Sequence, residues 1–296
     1  MRAPLRGVAA EARRVLKPAP SDPPGLLEDT TGRDYSRKLQ LFSAFAEPEL
    51  RQAIASLELE RGMRVLDAGC GSGEALGWLA DEVGPEGLVV GIDLAAAHAS
   101  VTRAHARGGV AVLQADLSRP PLAAGSFDLV WAVNTLNHLR DPLEGVKCLA
   151  TLLRGGGRIA LGQSALLPEM FFAWDARLER LTNEAVRQYY RDRYRLEERD
   201  LAGVRALLGW LRGAPLRDVM VRTLVIERIA PLRATDEGYL LEAIFRGTWG
   251  ERLRPYLSRD DYAELTHLCD PGDCRFALKR PDFHFLQTFT LAVGKA

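Results

Sequence analysis

Val65-Leu66-Asp67-Ala68-Gly69-Cys70-Gly71-Ser72-Gly73-Glu74 reads as a buried strand, a glycine turn and the start of a helix. Met63, Val65 and Leu66 are apolar, and Leu76, Leu79 and Val83 follow at helical spacing before Gly84. The glycines at 69, 71 and 73 permit positive φ and let a ligand approach the backbone. The unpaired N–H groups of the next helix face that ligand. One strand later Gly91-Ile92-Asp93 ends in a carboxylate, about twenty residues past the last glycine, the usual distance for a group that grips a ribose diol. The chain is therefore expected to bind an adenosine-containing cofactor.

Spacing separates the candidates. A dinucleotide fingerprint, G-x-G-x-x-G, would need a glycine where Glu74 stands. Asp67, two residues before the first glycine, would repel a pyrophosphate but suits a cationic amino group. S-adenosyl-L-methionine carries an adenosine and an amino acid and no phosphate. With these residues the chain resembles the class I S-adenosylmethionine-dependent methyltransferases, and within them the small-molecule group that includes the ubiquinone/menaquinone C-methyltransferases.

Further segments extend the resemblance, which runs from Glu60 to Gln163. Gln114-Ala115-Asp116-Leu117 follows the strand Val110–Leu113; in the family an acidic residue here accepts a hydrogen bond from the adenine amino group. Ser126-Phe127-Asp128-Leu129-Val130-Trp131 resembles the fourth strand, and Asn134-Thr135-Leu136-Asn137-His138-Leu139-Arg140-Asp141-Pro142 the loop that borders methyl transfer. Leu153 to Leu161, through Gly155-Gly156-Gly157, is similar to the turn into strand five. The resemblance implies cofactor contacts from Asp67, Gly69, Gly71, Gly73, Asp93, Leu94, Asp116, Leu117 and Asn134.

Composition fits a soluble enzyme. The 296 residues are 47% apolar, with Lys+Arg and Asp+Glu balanced at 39 each. That balance gives no electrostatic reason to expect nucleic acid. No apolar run reaches the length of a membrane span. The first twenty residues hold Arg2, Arg6, Arg13, Arg14 and Lys17 without an apolar core, so a secretory signal is not expected, and the location is read as cytoplasmic. The four cysteines, Cys70, Cys148, Cys269 and Cys274, lack zinc-type partners, so reduced thiols and no metal are expected.

Strand signals near Arg64–Asp67, Val89–Asp93, Ala111–Gln114, Asp128–Val133 and Arg158–Gly162 alternate with helices, which predicts an α/β, Rossmann-like fold. The resemblance implies a mostly parallel seven-stranded sheet with an antiparallel last strand, and Val219–Ile229 and Phe283–Val293 read as the closing pair. Residues 1–33 read as a basic, proline-rich arm and 34–296 as one domain. Tyr35–Phe45 and Pro48–Leu57 read as two leading helices, and Asp200–Leu211 as an amphipathic one. Two inserts, about 167–199 and 234–281, are expected to form a helical lid over the acceptor, with Phe171, Phe172, Trp174, Tyr189, Tyr190 and Tyr194 lining it or packing on the sheet.

The expected reaction is S-adenosylmethionine-dependent methyl transfer to a small-molecule acceptor: a specialised metabolite, a quinone or an isoprenoid-like compound. Such transfer chiefly requires alignment and exclusion of water. His138, in the loop after strand four, is the candidate catalytic base, with a scaffolding role as its alternative. His98 and His105 are placed far from the reaction. A homodimer is possible on this reading. The rival readings are an RNA- or protein-modifying methyltransferase and a non-methylating cofactor-binding protein.

Overall fold

The structure, a computed structural model, describes residues 35–105, 109–165, 170–171, 175–195 and 203–296. The N-terminal arm, Phe172, Trp174 and the Asp200 start of the sixth helix lie outside the described residues.

The chain opens with α1 (Ser36–Ala55), then alternates β1 (Arg64–Ala68), α2 (Glu74–Val83), β2 (Leu88–Asp93), α3 (Ala96–His105), β3 (Val110–Gln114) and β4 (Phe127–Val133). It continues through α4 (Pro142–Thr151), β5 (Leu153–Ser164), a two-residue β6 (Met170–Phe171), α5 (Ala176–Tyr194) and α6 (Gly203–Gly213). β7 (Arg217–Ile229), α7 (Ala234–Tyr239), α8 (Arg259–Cys269) and β8 (His284–Lys295) complete it. Where two leading helices are expected, a single α1 runs through Pro48. Proline removes one intrahelical bond, but Phe45, Ala46, Leu50, Ala53 and Ile54 are buried on both sides of it, and that packing keeps the helix continuous. In the second insert α7 is followed directly by a π-helical stretch, Leu240–Thr248. Asp141 caps α4 by accepting from the Glu144 N–H at 3.0 Å, with Pro142 at the first helical position.

The strands form one sheet in the order β3-β2-β1-β4-β5-β8, with β7 on the outer edge of β8. β1 to β5 are parallel, and β8 runs antiparallel to β5 and β7. This is the expected seven-stranded sheet, with β6 added from the first insert against Phe285 and Leu286. Alternate residues of the central strands feed two cores. Val65, Leu129 and Trp131 face α1, α2 and the described residues of both inserts, while Leu66, Val130 and Ala132 face α4 and α6. Strand order reverses between β1 and β4, so their C-terminal ends open the crevice where ligands of such sheets sit.

Candidate active site

At that crevice lies a cavity of about 1180 Å³. Ligand pockets commonly measure roughly 300–1,000 Å³, so this one has room beyond a single cofactor. Its floor is Asp67 and Gly69 to Ser72 after β1, Asp93 to Ala95 after β2, Asp116 to Ser118 after β3 and Asn134, Thr135 and His138 after β4. Its roof is α1, through Tyr35, Leu39, Phe42, Ser43 and Leu50. Of the nine positions expected to contact the cofactor, all but Gly73 line this cavity.

The glycine turn is forced by its neighbours. Gly69 has φ +84°, and a Cβ there would overlap Thr135 from the β4 loop. Gly73 has φ +91° and caps α2, leaving the helix N-terminus to face the cavity without a side-chain cap.

Asp67 is buried, and its Oδ2 has no hydrogen-bond partner. Burial, then the negative charges of Asp93 and Glu74, raise its pKa to about 8. A buried orphan carboxylate oxygen fits a ligand that brings a cation. Burial also pushes the Cys70 thiol well up, which leaves it neutral and unreactive in this loop.

Asp93 is held tightly. Its Oδ2 accepts from the Gly71 N–H at 2.9 Å, and its Oδ1 accepts from the Ala95 N–H at 2.9 Å and lies 3.0 Å from His98 Nδ1. A carboxylate offers about four acceptor positions, so most of its capacity is already committed and its orientation is fixed. Asp116 turns its own loop by accepting from the Ser118 N–H at 2.8 Å, beside buried Leu117. Leu94 is exposed, and its carbonyl accepts from Gln114. Asn134 adopts φ +53°, and its Oδ1 accepts from the N–H and the hydroxyl of Ser164 at 2.8 and 2.9 Å. Its carbamoyl oxygen is thus committed to β5, leaving the amide group to meet a ligand.

His138 ends a short 3₁₀ turn, Leu136–His138, and its backbone N–H donates to Thr135 at 3.0 Å. Two histidines line the cavity, His138 and His98. His98, expected to be far from the reaction, lies against Asp93. Its signal in the sequence is its position in the first turn of the helix that starts just after Asp93.

Neither insert contributes a lining residue among those described. Tyr189 meets Tyr190, Tyr194 and Tyr256 edge-on, with ring centroids 5.6, 6.4 and 6.3 Å away. These tyrosines join the two inserts to each other. The apolar walls come instead from Phe42, Trp78, Trp131 and Val133. Sequence periodicity could mark those residues as core but not as cavity wall, because they serve as both. Among the described residues no group of three potential metal ligands occurs, and no helix is long and apolar enough to cross a membrane.

With this geometry in place, comparison with known proteins defines the class. A methyltransferase domain model matches residues 66–161. Aklanonic acid methyltransferase DauC of Streptomyces sp. (strain C5) is 32% identical over 200 residues, covering 66% of this chain and 86% of that protein. Nocamycin O-methyltransferase of Saccharothrix syringae is 38% identical over 121 residues, covering 40% of this chain and 43% of that one. A chain from a complex between the Haloferax volcanii Trm112 methyltransferase activator and a methyltransferase shares the fold, with a TM-score of 0.51 at 18% identity over 88% of this chain and 93% of that one. The chain belongs to the class I S-adenosylmethionine-dependent methyltransferase family. Its match spans about two fifths of the length of several curated relatives, 43% of nocamycin O-methyltransferase and 42% of 27-O-demethylrifamycin SV methyltransferase among them.

Proposed function

We propose that the protein transfers a methyl group from S-adenosylmethionine to an oxygen of an apolar small-molecule acceptor. The observation that carries this reading is the orphan Oδ2 of buried Asp67, set beside an uncapped helix N-terminus at one end of a cavity larger than a cofactor needs. Asp67 would hold the cationic amino group, Asp93 the ribose hydroxyls, and Asp116 with Leu117 and Leu94 the adenine. Gly69, Gly71 and Gly73 allow close approach, and Asn134 borders the methyl position. When bound, the cofactor supplies an activated methyl group on a sulfonium.

The remaining work falls to the chain. α1 covers the cavity and excludes water, and Phe42, Trp78, Trp131 and Val133 align a ring-bearing acceptor. His138, which lines the cavity, would take the proton of a hydroxyl acceptor. The relatives' names, which specify O-methylation of nocamycin and methylation of aklanonic acid, support a specialised metabolite as acceptor class. Cofactor labelled in its methyl group, offered with a panel of phenolic and enolic polycyclic acceptors, tests the reading. Label on an acceptor is the expected result. Tight cofactor binding with no label on any acceptor in the panel would favour the non-methylating reading, and no binding would overturn the assignment.

A further inference from the structure

His98 joins two parts of the site that the sequence keeps far apart. Its side chain is buried between Asp93 and the start of α1. The backbone N–H of Tyr35 donates to His98 Nε2 at 3.0 Å. A backbone N–H can only donate, so Nε2 carries a lone pair and the ring proton sits on Nδ1. Nδ1, 3.0 Å from Asp93 Oδ1, therefore donates to the carboxylate. The tautomer is set by its neighbours, and one neutral imidazole bridges Asp93 to the first residue before α1. The Thr102 hydroxyl bonds both the His98 and the Gly71 carbonyls, at 2.9 and 2.8 Å, which fixes the histidine's turn of α3 against the glycine loop. On the other side α1 reaches the same loop: a Cβ on Gly71 would lie 2.8 Å from Leu39.

We infer that His98 is a positioning residue that makes ribose binding at Asp93 and the seating of α1 over the cavity a single event. The inference rests on the cofactor reading above. By donating to Oδ1, His98 aims the rest of the carboxylate at the cavity. By accepting from Tyr35, it ties the roof to that same carboxylate. A hydrogen bond that also orders a second element contributes to affinity and to closure together.

The test uses S-adenosylhomocysteine, measured by calorimetry and by amide hydrogen exchange over residues 36–43. In the parent, the ligand should bind and slow exchange in that stretch. His98→Ala should weaken binding roughly tenfold, the effect of losing one donor to a charged acceptor, and should abolish the ligand-dependent slowing. His98→Asn separates the two bonds. Its amide nitrogen replaces Nδ1 towards Asp93, while nothing accepts from Tyr35. Affinity should recover to within about threefold of the parent, and exchange in 36–43 should stay insensitive to ligand. A merely structural histidine would not split these readouts. Unchanged affinity in the alanine variant, or parental slowing in the asparagine variant, overturns the inference; should the alanine variant not fold, the asparagine variant carries the test. A parent that binds no S-adenosylhomocysteine overturns the cofactor reading first, before any variant is compared.

Discussion

Arg228 on β7 grips Glu49 on α1 with both prongs of its guanidinium, Nη1 to Oε1 at 2.8 Å and Nη2 to Oε2 at 2.9 Å. Its Nε donates to Asp236 at 3.1 Å, Nη2 also donates to the Phe45 carbonyl, and the guanidinium carbon lies 4.7 Å from the Phe45 ring centroid. Burial acts to lower the Arg228 pKa, but the bonds to Glu49 and Asp236 outweigh it and hold the group firmly charged. The roof of the cavity is thus anchored at its far end by a buried ion cluster and at its near end by His98. Arg228→Met would leave Glu49 buried without its cation, while Asp236 keeps Arg233, whose Nε and Nη2 each donate to it at 2.8 Å. Breaking such a pair from one side costs about 3–5 kcal/mol. Denaturant unfolding should show that loss, and a loss below about 1 kcal/mol would mean the cluster relaxes into water. Glu49→Gln should cost less, since Asp236 still balances the arginine.

Asp93→Ala should weaken S-adenosylmethionine binding about 10- to 100-fold, the range for hydrogen bonds to a charged acceptor. The same change removes the acceptor for Gly71, Ala95 and His98, so the glycine loop should also loosen. Asp116→Ala should do less, because one adenine bond is at stake and the Leu117 backbone N–H remains. Calorimetric titration of both variants checks the order. Equal affinity for Asp93→Ala and the parent would remove Asp93 from the ribose site.

The glycine turn, the carboxylate after β2 and the alternation of strands with helices were legible in the sequence because each depends on local spacing, whereas the seven-stranded arrangement was implied by the family resemblance. Gly69, Gly73 and Asp93 announce themselves within thirty residues of chain, and strands read by alternation fall into place once the order is known. The roof was not legible. Leu39 and Phe42 look like ordinary core residues of an amphipathic helix, and nothing local says that their partner is a cavity. For Tyr189, Tyr190 and Tyr194 the sequence left lining and packing both open, because an aromatic run at helical spacing suits either; in three dimensions Tyr189 meets Tyr190 and Tyr194 on its own helix and Tyr256 from the second insert. Pro48 suggested a break that the packing of Leu50 and Ile54 overrides.

On the proposed reading, Asp67 should make cofactor binding proton-linked. With its pKa raised to about 8, it is mainly protonated at pH 7 in the free protein. A cationic amino group placed against it favours the charged form, so binding should release up to about one proton. Calorimetry in buffers of different ionisation enthalpy should show that release, and Asp67→Asn should remove it. The sign for stability follows from the same shift. The folded pKa lies above the ordinary value of 3.8, so the group's contribution is fully present below about pH 4 and is lost as pH rises through about 8. The melting temperature of the free parent should therefore fall over that window relative to Asp67→Asn. Parallel curves would show that water reaches Asp67.

His138 is either a base or a scaffold, and two substitutions separate these roles. If it takes the proton of a hydroxyl acceptor, His138→Ala should lower kcat by roughly 10²–10⁴, the usual contribution of a positioned base. His138→Gln should do nearly as badly, since an amide can hydrogen-bond but cannot hold the proton. If the side chain instead orients the loop, glutamine should restore most of the activity. The backbone bond from His138 to Thr135 survives either change, so the 3₁₀ turn itself should persist. That turn also holds Leu136 in the core below the cavity, and circular dichroism with cofactor titration would show whether it does. Only a kcat loss shared by alanine and glutamine, with cofactor affinity intact, assigns the proton to His138.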